Sequence, residues 1–388
     1  MSCTSDSNKY RANMDAIALS ADIAKFAAKF VNELDKSKSV VCSPLSAEFV
    51  LALLALGATD NAHDELLTSL GIPDDDSIRS SFSSVSSKLK NIKSVTLKMA
   101  NKVYVMKGEY DLQTQLKKDA VKVFDAAFEK VDFSKSAHAA NLINTWVGDK
   151  TKKHIKDLIS ADVLNHYTRL VLINAIYFKG TWKNKFNTIK TTNEPFYVTP
   201  TTTVDVPMMN KKSNYRYGII KELKAQLLEM PHENNGASMV IILPEEKNGL
   251  DSLLQKLAEG YDLLEDLSAN LLQNSVMEVR VTIPRFKIET EIDLGVLLPK
   301  IGIAQIFDEN NSGLTKILNS DEPLYVSKAI QKAFIEVNED GVKAAAATGN
   351  YLRKLCSSSF AFRANRPFLY LLLHKQHIVL FIGVFNGK

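Results

Sequence analysis

The stretch "QKAFIEVNEDGVKAAAATGNYLRKLCSSSF", residues 331–360, holds the feature that decides the fold. It opens with a strand-like apolar segment, continues through four consecutive alanines at 344–347, and ends in a basic, serine-rich run before a second apolar segment at Pro367. Alanine is the strongest helix former, but four residues are too few to nucleate a helix alone. We therefore interpret the alanines as part of a non-helical segment between two buried strands.

The composition around this stretch is that of an ordinary globular protein. Of the 388 residues, 45% are hydrophobic and 24% are charged, and no linker-like segment divides the chain. We expect one domain spanning residues 1–388. The net charge is +4, with basic and acidic residues interspersed, so we expect neither a nucleic acid nor a membrane as partner. The densest basic cluster, Lys150–Lys156, is interpreted as a solvated helix face, with a polyanion site as the alternative.

Periodicity predicts helices early in the chain and strands later. An apolar stripe predicts a helix over 21–34. Ser43 as N-cap and Pro44 as first helical residue predict a buried second helix, and Gly71 ends a third helix at 60–70. Apolar runs predict strands at 98–106, 170–178, 226–231, 238–244 and 277–288, helical stretches lie near 137–159 and 249–264, and two final strands form a hairpin. The predicted class is α+β with mixed sheets.

The sequence lacks the motifs of common enzyme and metal sites. There is no G-x-S-x-G, P-loop, G-x-G-x-x-G or H-E-x-x-H. Cys3, Cys42 and Cys356 are too few for a disulfide framework; we expect Cys42 in the core and Cys356 in a polar loop. We interpret His374 and His377 as a hairpin tip rather than a metal site. We therefore expect no catalysis, cofactor or metal, and a mechanical or recognition function instead.

Ten sequence blocks carry a resemblance to a known family, the serpins, and most closely to their arthropod (insect) members. The resemblance extends from residue 21 to 388. The blocks occur in the family's order: "CSPLS" (42–46), "INTWV" (143–147), "NAIYFKGTW" (174–182), "VPMM" (206–209), "LEMP" (228–231), "VIILP" (240–244), "IPRFKIET" (283–290), "LPKIGI" (298–303), "QKAFIEVNEDG" with "AAAAT" (331–348), and "NRPFLYLLL" with "VLFIGVF".

This resemblance implies a fold of three β-sheets and about nine helices, with an exposed reactive-centre loop at about 341–361. The implied activity is suicide inhibition of an endopeptidase by a monomer: a protease cleaves the loop, and the freed upstream segment inserts into the main sheet. Trp182 and Asn174 belong to the implied sheet-opening region. The implied hinge comprises Glu339, Gly341, Val342, Lys343, Ala344, Ala345, Ala346, Ala347 and Thr348.

The alanines suit a segment that is solvated before cleavage and part of a sheet afterwards. In a strand, alternate side chains face a close-packed core, where large or charged groups cost several kcal/mol. If Val342, Ala344, Ala346 and Thr348 face inward, Lys343 stays on the outer surface. Val342 and Lys343 replace the usual Thr and Glu of inhibitory members, and Gln331 replaces a common His near the sheet opening.

Two positions for the reactive bond remain possible. Counting forward from Gly341 places the bond at Leu355-Cys356, whereas counting back from Pro367 places it at Arg353-Lys354. With Arg353 as the attacked residue, the insertable strand has only twelve residues, and the missing two shorten it by about 6.6 Å. We therefore expect poor or atypical trapping of trypsin-like enzymes.

The target class is also open. Arg353 suits a trypsin-type pocket with a buried carboxylate, and a serine endopeptidase is the first interpretation. Papain-like cysteine proteases favour an apolar residue immediately before the attacked one, and Leu352 supplies it before Arg353. A cysteine protease of this class is therefore the second interpretation. A third interpretation is a non-inhibitory carrier or chaperone, although such members carry bulky or charged hinge residues. Because most insect relatives are secreted, we expect an extracellular chain; residues 1–20 lack a signal peptide, which favours the cytoplasmic alternative.

Overall fold

The structure is a computed structural model that describes residues 20–90, 92, 95–267, 276–339, 360–374 and 378–388. Within these residues the predicted α+β class is confirmed. The helices are α1 (20–32), α2 (Pro44–Ala55), α3 (Asp60–Leu70), α4 (Asp75–Lys90), α5 (Thr114–Lys122), α6 (Ser136–Lys150), α7 (Leu250–Ala258), α8 (263–267) and α9 (Leu294–Lys300).

Fourteen strands occur in the described part of the chain. They are β1 (Val40–Cys42), β2 (Val95–Met106), β3 (Ala127–Val131), β4 (Leu170–Gly180), β5 (Thr192–Tyr197), β6 (Thr203–Ile220), β7 (Ala225–Pro231), β8 (Ala237–Pro244), β9 (Met277–Pro284), β10 (Phe286–Asp293), β11 (Val326–Val337), β12 (Phe360–Arg363), β13 (Phe368–His374) and β14 (Val379–Phe385).

Five strands form the central sheet, in the order β10-β11-β4-β2-β3. The other nine form one hydrogen-bonded path, β1-β14-β13-β8-β7-β6-β9-β12, with β5 beside β6. The 18-residue β6 connects two groups in this path, because its first part pairs with β5, its middle part with β9 and its last part with β7. Two strand groups joined through β6, together with the central sheet, give the three-sheet arrangement that the resemblance implied.

The local signals around α2 and α3 are confirmed. The Ser43 hydroxyl accepts a hydrogen bond from the backbone N–H of Ser46, and Pro44 is the first residue of α2. Every residue of α2 is buried, as its apolar sequence predicts. Gly71 ends α3 in the left-handed region at φ 68°, which costs glycine little because it lacks a Cβ. Cys42 is fully buried, also as predicted.

The basic cluster at Lys150–Lys156 is not a helix face, and that prediction was wrong. Helix α6 ends at Lys150, and Lys152 and Lys153 have positive φ angles of 53° and 62°. Ile155 is fully buried beyond them. The helical pattern therefore stops because the backbone turns to bury this isoleucine, and the lysines project from an irregular segment.

Two further predictions need correction. The run 277–288 is two strands, since the chain leaves β9 at Arg285, whose N–H donates to the Pro207 carbonyl at 2.8 Å, before β10 begins. His374 is the last residue of β13 and is buried, and its backbone N–H donates to the Ile378 carbonyl at 2.9 Å. It is therefore not in a solvated hairpin tip. His377, Cys3 and Cys356 lie outside the described residues.

Apolar clusters cover both faces of the central sheet. On the inner face, Leu172, Ile176 and Phe178 of β4 join the main core that contains α2. On the outer face, Ile173 and Tyr177 of the same strand pack in a second cluster with α6. No helix in the described ranges has both the length and the apolar character needed to cross a membrane.

Candidate functional site

The middle of the central sheet contains a parallel pair, β4 and β11, which we call the central pair. Its register runs from Val326 opposite Leu170 to Glu336 opposite Lys179. The outer neighbours, β2 on β4 and β10 on β11, are antiparallel. Parallel pairing is slightly less stable per residue than antiparallel pairing. A strand entering between β4 and β11, antiparallel to both, would replace this pairing with two antiparallel ones.

The chain that follows β11 is positioned to supply such a strand. β11 ends at Val337, and Asn338 and Glu339 complete this described segment. The chain is described again from Phe360, where β12 pairs in parallel with β9. Residues 340–359 are therefore tethered to the central sheet at one end and to β9 at the other.

A buried polar network crosses the inner face of the central pair. Gln331 lies opposite Asn174, and its Nε2 donates to Asn174 Oδ1 at 2.7 Å and to the Ser43 carbonyl at 2.9 Å. Its Oε1 accepts from the Ser43 N–H at 2.9 Å. Gln331 therefore fastens both strands of the central pair to the first turn of α2.

Asn174 extends this network to the next strand. Its Nδ2 lies 2.6 Å from Asn101 Oδ1 on β2 and 2.8 Å from the Ser46 carbonyl. Asn174, Asn101, Ser46 and Gln331 are all at most 4% exposed. Leaving a buried polar group without a partner costs about 1–3 kcal/mol. The network therefore opposes separation of the central pair until its groups find other partners.

The outer face of the central pair carries an aromatic cover and an ion pair. The His154 ring stacks on Tyr177 of β4 at 3.9 Å and 7°, and Tyr177 contacts Phe334 of β11 at 5.2 Å. Burial lowers the pKa of His154, which favours its neutral form. Nearer the end of the strands, Lys179 Nζ lies 3.3 Å from Glu336 Oε1. The Tyr177–Phe334 contact and the Lys179–Glu336 ion pair join β4 to β11, and both must change if the strands part.

Glu339 is held firmly where the described chain leaves the central sheet. Its side chain is almost fully buried, and Oε1 accepts from Thr191 Oγ1 at 2.7 Å and from Arg285 Nη1 at 3.3 Å. Its carbonyl accepts from the Phe186 N–H at 3.0 Å. These contacts fix the point from which any inserting segment would turn back.

Trp182 lies at the same end of the central pair. Its Nε1–H donates to the Asn338 carbonyl at 2.7 Å, so the indole joins the residues after β4 to those after β11. The structure thus brings Trp182 next to Glu339 and places Asn174 in the middle of the pair. Their part in opening the sheet stays a prediction. The hinge residues Gly341–Thr348, the subsite residue Leu352 and the bond candidates Arg353, Lys354, Leu355 and Cys356 lie outside the described residues.

Sequence reasoning missed His232, which completes this end of the site. Its ring stacks on Trp182 at 4.6 Å and 13°, and it is 1% exposed. Nδ1–H donates to the Thr181 carbonyl at 3.1 Å, since a carbonyl can only accept. Nε2 has no hydrogen-bond partner among the described residues. Burial lowers the pKa of His232 to about 4, an effect that the bond to Thr181 partly offsets. The ring is therefore neutral at physiological pH.

Comparison with known proteins identifies the family. Residues 21–387 match the family model described as "Serpin (serine protease inhibitor)". "Antichymotrypsin-2" of Bombyx mori is 41% identical over 367 residues, covering 93% of this chain and 96% of the relative. "Antitrypsin" of the same insect is 40% identical over 367 residues, covering 93% and 92%.

A solved structure agrees in fold. Serpin48 of the insect Tenebrio molitor, described as a highly specific serpin, superposes with a TM-score of 0.83 at 31% identity. The match covers 97% of this chain and 98% of that one. The family model, the insect relatives and the fold all agree with the ten sequence blocks. The chain belongs to the serpin family.

Proposed function

We propose that this protein is a suicide-substrate inhibitor of an endopeptidase. Cleavage within residues 341–361 frees the segment that starts at Val342, and this segment inserts between β4 and β11, antiparallel to both. The parallel central pair, followed directly by a ribbon of small residues, is the observation that carries the proposal. Inhibitor names among its relatives support the same activity.

The length of the central pair supports the twelve-residue insert, Val342–Arg353. β11 has 12 residues and β4 has 11, so a twelve-residue strand fills the gap from end to end. An insert that ended at Leu355 would have two more residues, which extend it by about 6.6 Å. We therefore propose Arg353-Lys354 as the reactive bond, with Leu355-Cys356 as the alternative.

The two faces of the central sheet suit the side chains that alternate along the inserted strand. Ala344 and Ala346 would face the inner side, where Asn174 and Gln331 contact α2 and little space remains. Lys343 would face the outer side, where Glu336 offers a carboxylate near the point of entry. The charged residue in the hinge is thus compatible with insertion.

We propose a trypsin-type serine endopeptidase as the target. Arg353 provides the cation that such a pocket binds. Relatives named as antitrypsin and antichymotrypsin are almost equally similar to this chain, so overall similarity does not select a target. Leu352 favours the second candidate, a papain-like cysteine protease, because that class selects an apolar residue at this position.

Incubation with trypsin and with a papain-like protease tests this proposal. With trypsin we expect mass spectrometry to find cleavage after Arg353. We also expect denaturing gels to show a complex that accounts for only part of the consumed inhibitor, because the insert is two residues shorter than the usual interval of the family implies. A durable complex near one-to-one stoichiometry would exclude atypical trapping. Cleavage after Leu355 by both enzymes would refute the assigned bond.

A further inference from the structure

The outer edge of β2 is only partly covered. β3 pairs with β2 from Lys102 to Met106, whereas β2 begins at Val95. Its other edge pairs with β4 over almost the whole strand. Among the described residues, therefore, no strand lies beside the outer edge of Val95–Asn101. Such an edge presents backbone N–H and C=O groups that can pair with an incoming strand.

A cavity of about 510 Å³ runs along this open edge. Five consecutive residues, Val95–Met99, all line it. Because successive side chains of a strand point to opposite faces, five in a row can line one cavity only if the cavity lies beside the strand. Its volume falls within the range of about 300–1,000 Å³ typical of ligand pockets. We call this cavity the edge site.

The inner side of the edge site is apolar. Leu97 and Met99 share a face of β2 with Asn101, which is bonded to Ser46 of α2 on the inner face of the sheet. Phe49 and Phe124 line the same cavity and contact each other edge to face, with ring centroids 6.2 Å apart. These two rings are only 2% and 1% exposed, so aliphatic side chains entering from this side would pack mainly on the partly exposed Leu97 and Met99.

The outer side of the edge site is basic. Lys98 shares a face with Lys102, whose ammonium lies 4.8 Å from the Trp146 ring of α6 on the outer face. Lys150 and Lys152, which project from the end of α6, line the cavity as well. The outer side therefore gathers three ammonium groups around the open edge.

These charges are not balanced locally. Asp125 is the acidic residue in the lining, and it lies 3.5 Å from Lys90. Lys98, Lys150 and Lys152 have no carboxylate within 4.0 Å in the part of the chain that the structure describes. The edge site therefore favours a ligand that brings negative charge to the outer side.

We propose that the edge site binds an extended segment of a partner protein, about five residues long, which adds to β2 as a strand. Alternation within the segment places acidic side chains against the lysines and apolar side chains against the apolar inner wall of the edge site. A sulfated polysaccharide would leave the apolar wall unused, and a neutral strand would leave the ammonium groups unpaired. The backbone edge, the wall and the lysines together select an acidic-apolar alternating strand.

A synthetic peptide tests this proposal on the full chain. The probe is a fluorescent six-residue peptide of alternating glutamate and leucine, and binding is measured by fluorescence anisotropy. We expect saturable binding with one site per chain. The triple variant Lys98→Gln/Lys150→Gln/Lys152→Gln should raise Kd roughly tenfold, as expected for three exposed ion pairs. The matched control Lys29→Gln/Lys118→Gln/Lys316→Gln removes the same charge from exposed positions and should bind normally.

Two N-methylated peptides test strand addition without altering the protein. Methylation of the glutamate amides and of the leucine amides blocks opposite edges of the peptide strand. Only one of these peptides should lose affinity, by at least about tenfold, since only one edge of the peptide faces β2. The proposal fails if the unmethylated peptide does not bind, or if both methylated peptides bind as well as it does. Unchanged affinity in the triple lysine variant also refutes it.

Discussion

At the scale of single residues, the Gln331 side chain links both strands of the central pair to the start of α2. The resemblance implied a histidine at this position, and the one amide of Gln331 bonds to both Ser43 and Asn174. The sequence analysis identified Gln331 as unusual for the family but did not predict its hydrogen-bond partners. Because both hydrogen-bond partners of Gln331 are buried, removing its side chain should change the free energy of unfolding measurably.

We expect Gln331→Ala to lower the free energy of unfolding of the uncleaved protein by about 1–3 kcal/mol, since Ser43 and Asn174 lose buried partners. Urea unfolding of the uncleaved chain measures the change. Gln255→Ala, which removes an exposed amide bonded to Glu259, serves as the control and should have little effect. Equal stability of the Gln331 variant and the native protein would show that the network does not hold the strands.

His232 makes the same region sensitive to acid. Its pKa is about 4 when folded, against 6.5 when unfolded. Below pH 6.5 the unfolded chain therefore binds a proton that the folded chain does not, and stability falls as the pH is lowered towards 4. Between pH 7.5 and 5.5 this group alone removes about 1.3 kcal/mol.

The variant His232→Phe keeps an aromatic ring on Trp182 and removes the titration. We expect its stability to fall by about 1.3 kcal/mol less than that of the native protein over this pH interval. Urea unfolding of both proteins is measured at both pH values, so that the contributions of all other titrating groups cancel in the difference between the two proteins. Parallel pH profiles for the two proteins would contradict the assignment.

At the scale of elements, the alternation of the hinge determines which substitutions block insertion. Ala346→Arg places a charge on the inner face, where desolvation costs several kcal/mol. We expect this variant to be cleaved by the target protease without forming a complex. Ala345→Arg, its neighbour on the outer face, carries the same charge and should still form a complex. Gel-based stoichiometry compares them, and an equal loss in both would refute the assigned facing.

At the scale of the whole molecule, sequence signals predicted the ends of helices correctly where those ends depend on neighbouring residues alone. Ser43 and Pro44 start α2, and Gly71 ends α3, because caps depend on a few neighbouring residues. Periodicity failed at Lys150–Lys156, where burial of Ile155 by tertiary contacts overrides helix formation. The 18-residue β6 was also missed, since its alternating polar residues do not form an apolar run.

The candidate site was predictable only in part. The resemblance pointed to Asn174, Trp182 and Glu339, and the structure places Asn174 in the central network and the other two at the end of the central pair. The network joins segments far apart in the chain, so no local pattern reveals it. A polar residue inside an apolar run, such as Asn174, was the available signal, because a buried amide needs partners.

The central claim is that the uncleaved protein is not in its most stable state. Calorimetry of intact protein and of protein nicked within 341–361, with the nick verified by mass spectrometry, tests this most directly. Insertion should raise Tm clearly above that of the intact protein, because the inserted strand replaces the parallel pairing of β4 with β11 by two antiparallel pairings. An unchanged or lower Tm after nicking would contradict the account.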